Sequence, residues 1–174
     1  GSLTLSGVNT YAGGTVIEAG TLRIAQSGNL GTGPLTLNGG TLEATAPLTL
    51  YADTWIDGGG TISTTSSLTL EGSINGRAGV KISSGPTGTV ILNGAHNALP
   101  TAFVTGQSTL QVNGTLEAII DIGGASRLSG SGTVGNTSIQ HGSTLSPGQS
   151  SIGTLTVNGD LTLHDGSILD YQLG

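Results

Sequence analysis

Short alternations of apolar and small polar residues, each closed by Gly or Asn, run along the whole chain. Leu-Thr-Leu begins at Leu3, Leu35, Leu48, Leu68 and Leu161, and an apolar-x-apolar-Asn-Gly pattern begins at Leu35, Val90, Leu110 and Leu155. A period of two residues is typical of a half-buried strand, whereas an amphipathic helix has a period near 3.6 residues. The pattern therefore predicts an all-β chain of many short strands and no helix.

A second pattern, Gly-Thr followed by an aliphatic residue, returns again and again along the chain. It begins at Gly14, Gly20, Gly40, Gly60, Gly88, Gly114, Gly132 and Gly153, and Gly-Ser-Ile begins at Gly72 and Gly166. From Gly20 onward the copies recur at the interval of a solenoid repeat, and one coil of three short strands and three turns takes about 20 residues. Asn-Gly also favours hairpins, so an antiparallel meander is the alternative, but a meander need not return one motif at this interval.

We therefore predict a right-handed, single-stranded parallel β-helix of about seven to eight coils. Each strand pairs with the strands one coil above and below, so that Leu, Ile and Val stack into a continuous interior. Residues 95–102 are the least repetitive part, and we expect a loop or short turn there. The tail, residues 160–174, is predicted to close the end of the helix as a capping hairpin.

The amino-acid composition agrees with a stack of coils whose interior is filled by small side chains. Among 174 residues there are 32 Gly, one Trp, one Phe and three Tyr, and only 8% are charged. With so few large side chains, apolar burial has to come from many small aliphatic contributions. Ten acidic residues against four basic ones disfavour a nucleic-acid partner, because phosphates need a basic face. The absence of cysteine excludes disulfides and thiolate metal sites.

No apolar run approaches the roughly 18 residues of a membrane-spanning helix. The first five residues have neither the charged region nor the apolar region of a signal peptide. The chain contains no Met and begins in mid-pattern, which indicates a piece of a longer protein.

One group of residues could form a carbohydrate cleft. Asp53 and Asp57 bracket Trp55 and would share one face of an extended strand, and Lys81 lies further along the chain. Lyases and hydrolases with a β-helix use paired carboxylates and a cation beside an aromatic platform. The alternative, which we favour, is a charged solvent face on one coil.

Two further groups have simple structural explanations. His141 and His164 are about one coil apart in the chain and could stack with Asp165 as metal ligands, but two solvated turn histidines are the favoured interpretation. Residues 130–135 spell a dinucleotide fingerprint, which requires a following helix that the pattern does not predict. We therefore predict no catalytic residue, no cofactor and no metal.

Two segments resemble a known family. The first has the spacing of the autotransporter passenger-associated repeat, on Leu5, Gly7, Asn9, Thr10, Tyr11, Gly13, Gly14, Thr15, Ile17, Gly20, Thr21 and Leu22. The second, residues 128–163, resembles the last coils of such a passenger. The chain is thus similar to the passenger domain of a bacterial type V secretion autotransporter, in its C-terminal stem or autochaperone region. Tyr11 of the repeat is expected to be a packed cover over its corner.

The resemblance implies passenger coils in residues 1–127 and autochaperone-like coils with a cap in residues 128–174. It implies export across the outer membrane to the cell surface, with the protein's own upstream passenger and downstream membrane β-barrel as partners. The expected function is a non-catalytic stalk whose last coils nucleate folding. The alternative is a surface adhesin or self-association module that binds host or sibling-cell molecules through polar ladders, and an enzyme is the least favoured class.

Overall fold

The structure, a computed structural model, describes residues 1–94, 99–149 and 151–172. Within these ranges the chain forms short strands and no α-helix, and none of its helical segments is long and apolar enough to cross a membrane. A 3-10 turn spans Ser27–Leu30. The prediction of an all-β chain is therefore confirmed.

The chain visits three faces in a fixed order, which we call face 1, face 2 and face 3. Face 1 is a nine-stranded sheet of Ser2–Leu5, Thr21–Ile24, Thr41–Ala44, Gly60–Thr64, Val80–Ser83, Thr101–Thr105, Ile119–Ile122, Thr137–Ile139 and Leu161–Leu163. Face 2 is a seven-stranded sheet of Leu48–Leu50, Ser67–Leu70, Thr89–Leu92, Thr109–Val112, Arg127–Gly130, Thr144–Pro147 and Ile168–Leu169. The 3-10 turn takes the face 2 position in an early coil.

Face 3 consists of two sheets that hold the same place in the order of each coil. The first contains Thr15–Ile17, Leu35–Leu37, Thr54–Ile56 and Ile74–Gly76. The second contains Thr115–Leu116, Thr133–Val134 and Thr156–Val157.

Neighbouring strands run parallel on all three faces. On face 1, Leu42 lies opposite Leu22 and Ile62, so the chain returns to the same column once in each coil. The shortest step on this face runs from Ile122 to Ile139. About eight such coils form a parallel β-helix, and the antiparallel alternative is excluded.

Columns of aliphatic side chains fill the interior. On face 1 one column consists of Leu22, Leu42, Ile62, Ile82, Val104, Ile122 and Ile139, none of which is more than 6% exposed. Burying one such side chain contributes roughly 1.5–3 kcal/mol relative to leaving it in water. Each coil buries only a few such side chains, so the stability of the β-helix depends on the stacking of many coils.

A second interior column is polar and stands at the corner between faces 1 and 2. The hydroxyl Oγ of Ser84 accepts a hydrogen bond from the N–H of Thr64 at 3.1 Å, and Ser108 Oγ accepts one from Ser84 N–H at 2.6 Å. Ser126 Oγ continues the series with Ser108 N–H at 3.2 Å. These hydroxyls supply acceptors where the corner interrupts the backbone ladder, and buried N–H groups need such partners.

One expectation from the sequence, the capping hairpin, is wrong. Leu161–Leu163 pairs in parallel with Thr137–Ile139, and Ile168–Leu169 pairs in parallel with Thr144–Pro147. The tail is therefore one more coil and not a capping hairpin, because its strands add to faces 1 and 2 instead of pairing with each other. Of the predicted loop at 95–102, residues 95–98 lie outside the described residues, and from residue 101 the chain is a strand of face 1.

The serine column generates a prediction with an internal control. Ser108→Ala removes the partner of Ser84 N–H and a bond from Ser108 Oγ to Thr105 O of 2.6 Å, so the free energy of unfolding should fall by about 2 kcal/mol. Ser143 Oγ is buried with no hydrogen-bond partner among the described residues. Ser143→Ala should leave stability unchanged or raise it by up to about 1 kcal/mol. Urea denaturation measures both, and an equal loss in the two variants contradicts the assignment.

Candidate interaction surface

The outward positions carry mainly small polar side chains that stack in register. On face 1 the column begins with Thr21, Thr41 and Thr61, all half-buried, and continues with Lys81 and Phe103. Hydroxyls in such a column lie at the spacing of the strands, about 4.8 Å. The surface thus offers repeated weak contacts rather than one deep cleft.

Two exposed aromatic residues, Trp55 and Tyr51, lie on face 3 and at the corner before it. Trp55 points outward from Thr54–Ile56 and is 44% exposed, and Tyr51, at the corner before this strand, is 76% exposed. Both residues line a groove of about 440 Å³, together with Asp53, Thr32 and Gly33. The carboxylate Oδ1 of Asp53 accepts a hydrogen bond of 2.9 Å from Ser73 N–H, which fixes its position.

The structure brings together only some of the residues of the predicted carbohydrate cleft. Asp53, Trp55 and Asp57 are exposed along one face, as the alternation of the strand predicts. Lys81 belongs to face 1, where it lies between Thr61 and Phe103 in the register. The cation is therefore on a different face from the two carboxylates, and the arrangement expected of a lyase does not form.

The two histidines each bond to a neighbouring coil. His141 Nδ1 lies 3.0 Å from the carbonyl oxygen of Asp165, and His164 Nε2 lies 3.0 Å from Ser138 Oγ. Within the described ranges no group of three His, Cys, Asp or Glu side chains comes together in the way that a metal site needs. Both histidines are exposed, which agrees with the favoured interpretation of solvated turn residues.

The residues of the dinucleotide fingerprint form a corner between two strands. Arg127–Gly130 of face 2 ends there and Thr133–Val134 of face 3 begins, so no helix follows the strand. A Cβ on Gly132 would lie 2.1 Å from the carbonyl oxygen of Gly114 in the neighbouring coil. Gly132 is thus required by the close approach of two backbones, and the motif has a structural origin.

Arg127 connects three successive coils near the C-terminal end. Its Nη2 donates to Ser146 Oγ one coil further on and to Asp170 Oδ2, at 2.8 Å, one coil beyond that. The last coils contain a second connection, in which Gly130 and Gly148 exchange backbone hydrogen bonds of 3.1 and 2.8 Å in an isolated antiparallel bridge. The Arg127 contacts reach further along the axis than the ladder between adjacent coils.

A buried asparagine organises the corner at the other end. Asn29 Oδ1 accepts hydrogen bonds from the N–H groups of Ala25 and Gln26 at 3.0 and 3.1 Å, and its Nδ2 donates to Gly7 O at 2.8 Å. Asn9 Nδ2 donates to Asn29 O at 2.7 Å. Asn29 is fully buried, so a single side chain satisfies three backbone groups of two coils.

Tyr11 covers the same corner. Its hydroxyl lies 2.7 Å from Thr15 Oγ1, and a Cβ on Gly31 would lie 2.8 Å from the Tyr11 ring. Gly31 has φ = 69°, a conformation that favours glycine. The prediction that Tyr11 packs over the corner is confirmed.

Comparisons with known proteins agree with this geometry. The family profile of the passenger-associated-transport-repeat matches residues 1–24, which include Asn9, Tyr11 and Thr15. The adhesin BmaC autotransporter of Brucella suis biovar 1 (strain 1330) is 36% identical over 172 residues, which is 97% of this chain and 5% of that protein. The chain is a segment of an autotransporter passenger domain. No solved structure matches it significantly.

As an autotransporter passenger segment, the chain belongs to a protein that is exported across the outer membrane and exposed at the cell surface. The chain spans only 5% of the length of the relative from Brucella suis.

The buried asparagine of the early coils and the serine column of the later coils lie on the same side of the β-helix. Asn29 and Ser126 each follow a strand of face 1.

Three features of the structure escaped the sequence analysis. The buried serine column had a visible signal, because Ser-x-Leu begins at Ser108, Ser126 and Ser143 with spacings close to one coil. The Arg127 network had none, since it depends on contacts between coils, and the groove of Tyr51 and Trp55 had none, since Thr32 and Gly33 of the preceding coil complete it.

The buried asparagine provides a prediction for the repeat corner. Asn29→Ala leaves two buried N–H groups and one carbonyl without their partner, so we expect a loss of about 3 kcal/mol in local stability. The amides of residues 21–30 should exchange with deuterium more than tenfold faster. Asn75→Ala, at an outward position on face 3, is the matched control and should leave exchange nearly unchanged. Equal exchange in both variants contradicts a structural role for Asn29.

Proposed function

We propose that this chain is a non-catalytic stalk within an autotransporter adhesin, and that residues 128–174 act as its folding nucleus. The observation that carries the proposal is the Arg127 network, in which the residue immediately before this block is tied to two of its coils through Ser146 and Asp170. An autotransporter also has a membrane β-barrel, and we propose that the direct partners of this segment are the upstream passenger coils and that barrel.

The physics of solenoids supports a nucleus of several coils. One coil cannot bury its own apolar face, so the first stable unit has to contain several stacked coils. Ordering each residue costs about 1–2 kcal/mol of backbone entropy. Residues 128–174 contain stacked layers of this kind, since Thr137–Ile139 pairs with Leu161–Leu163 and Thr144–Pro147 pairs with Ile168–Leu169.

The non-catalytic character is supported by the separation of the candidate groups. Lys81 lies on face 1 and the carboxylates of Asp53 and Asp57 on face 3, while the hydrogen bond from Ser73 N–H holds Asp53 in place. A stalk requires only that the inward columns of side chains are apolar and that the outward columns are polar.

Deletion of the proposed nucleus tests the role directly. Residues 1–127 alone should fail to form a protease-resistant β structure, because the unit that folds first is missing. Residues 48–174, which lack the same number of residues at the other end, should fold. Circular dichroism and limited proteolysis during refolding measure both. If residues 1–127 refold as readily as residues 48–174, the nucleus proposal is wrong.

A point variant tests the same proposal without removing a coil. Asp170→Asn removes the charge that holds Arg127 and should slow refolding of the intact chain. Glu43→Gln is the matched control, because Glu43 Oε2 forms a comparable 2.9 Å ion pair with Arg23 Nε outside the block. Stopped-flow refolding that changes equally in the two variants contradicts a special role for residues 128–174.

A second function, attachment or self-association at the cell surface, is favoured by the outward threonine column of face 1. Its members Thr21, Thr41 and Thr61 form a flat polar strip that a second surface can meet with repeated hydrogen bonds. The name of the relative from Brucella suis describes that protein as an adhesin, which supports the same role.

Charges placed on the strip test this second function. Thr41→Arg with Thr61→Arg should reduce clumping or attachment of cells that display the chain, because two long charged side chains prevent close contact with the strip and would be costly to desolvate there. Thr49→Arg with Thr69→Arg places the same charges in an outward column of face 2 and is the control. Cell settling and attachment assays measure the effect, with circular dichroism to verify the fold. Unchanged settling and attachment with the face 1 variant excludes this strip.

A further inference from the structure

Two of the few aromatic residues of the chain meet at one groove. The chain has one Trp, one Phe and three Tyr, and both Trp55 and Tyr51 line the groove on face 3. A second groove of about 340 Å³ adjoins it, and the two share Thr32, Gly33, Tyr51 and Ala52. Together they have the size of an ordinary small-ligand site.

The position of these two rings has no explanation in the packing of the helix. Trp55 points away from the interior, and its register neighbours on face 3 are Thr36 and Asn75, which are too small to cover an indole. Tyr51 stands at a corner with most of its surface in water. Exposed apolar surface in a groove that also contains fixed polar groups is a candidate ligand site.

The polar groups at the groove determine which ligand fits. Asp53 lies between the two aromatic residues in the chain, and Ser73 N–H holds one of its oxygens. An ionised carboxylate only accepts hydrogen bonds and has about four lone-pair sites, so it can still receive hydroxyl donors from a ligand. Among the described residues no Lys or Arg lines either groove, and the chain carries a net charge of −6, so an anionic ligand is disfavoured.

We propose that the groove of Tyr51, Asp53 and Trp55 binds a neutral glycan. A sugar ring combines an apolar C–H face, which packs on an aromatic ring, with hydroxyl groups that donate to a carboxylate. The site rests on the attachment function proposed above, to which it gives a ligand class.

A proline-rich peptide is the other ligand that aromatic grooves commonly bind. Such a peptide presents mainly carbonyl acceptors along its backbone, and these need donors from the protein. The Trp55 indole N–H and the Tyr51 hydroxyl can donate to such carbonyls, but proline has no N–H to donate to the Asp53 carboxylate, whereas the hydroxyl groups of a glycan can.

The single tryptophan makes the proposal directly measurable, since Trp55 accounts for all the tryptophan fluorescence of the chain. Residues 1–174 are titrated with neutral oligosaccharides of glucose, galactose, mannose and N-acetylglucosamine, and with oligogalacturonate as the anionic comparison. At least one neutral oligosaccharide should change the emission with a dissociation constant of about 1 mM, typical of a shallow site. Oligogalacturonate should bind at least tenfold more weakly.

Two variants and one control locate the binding. Tyr51→Ala and Asp53→Asn should each weaken binding of the same oligosaccharide about threefold to tenfold, with the circular dichroism spectrum unchanged. Phe103→Ala removes from face 1 an aromatic ring about as exposed as that of Trp55 and should have no effect. The proposal is overturned if no neutral oligosaccharide binds at about 10 mM, if oligogalacturonate or a proline-rich peptide binds better, or if Tyr51→Ala binds normally.

Failure of this site is distinguishable from failure of the attachment function. Cells that display the Tyr51→Ala variant and still attach and clump normally, with no glycan binding in the titration, overturn the glycan site and leave the face 1 strip in place. If the Thr41→Arg and Thr61→Arg variant attaches normally while the Tyr51→Ala variant neither binds glycan nor attaches, the groove is supported and the strip fails.

Discussion

Pairing of the backbone between successive coils is the constraint on which this structure depends. Each strand obtains its hydrogen bonds from the coils above and below, so residues one coil apart must stand in register. The register explains why the interior consists of columns, and why corners where coils approach closely exclude a side chain. A Cβ on Gly114 would lie 2.1 Å from Gly94 O, and one on Gly132 would lie equally close to Gly114 O. The Gly of Gly-Thr-aliphatic is a consequence of that approach.

Much of the architecture could be predicted because a strand-like alternation whose turn signals return once per coil has few structural solutions. The face to which each copy belongs could not be predicted. Gly40 precedes one strand of face 1 and Gly60 begins the next, whereas Gly88 precedes a strand of face 2 and Gly114 one of face 3. The repeat thus occurs at three different corners, which explains its uneven spacing. For the same reason the sequence did not show that Lys81 lies on face 1 while Asp53 and Asp57 lie on face 3. The tail was mistaken for a hairpin because alternation alone does not distinguish parallel from antiparallel pairing.

The inward and outward columns of side chains have different roles. Inward positions such as Leu42 and the hydroxyl of Ser108 maintain the stack, and a change there affects neighbouring coils. Outward positions contact only their neighbours on the same face, so Tyr51 and Trp55 can differ from the surrounding polar column at little structural cost. This separation lets a regular scaffold carry other features at its outward positions. The sequence placed Asp53, Trp55 and Asp57 on one face, but it did not show that Tyr51 joins Trp55 in one groove.

The orientation of the strands determines how the passenger responds to mechanical force. The strands lie across the long axis and their hydrogen bonds lie along it, so tension between the ends is borne by one rung of bonds at a time. A regular stack would peel open coil by coil under a modest, nearly constant load. Arg127 changes this at the last coils, because its contacts with Ser146 and Asp170 bridge two rungs at once. For a protein held at the surface of a cell under flow, peeling would be resisted most strongly at that point.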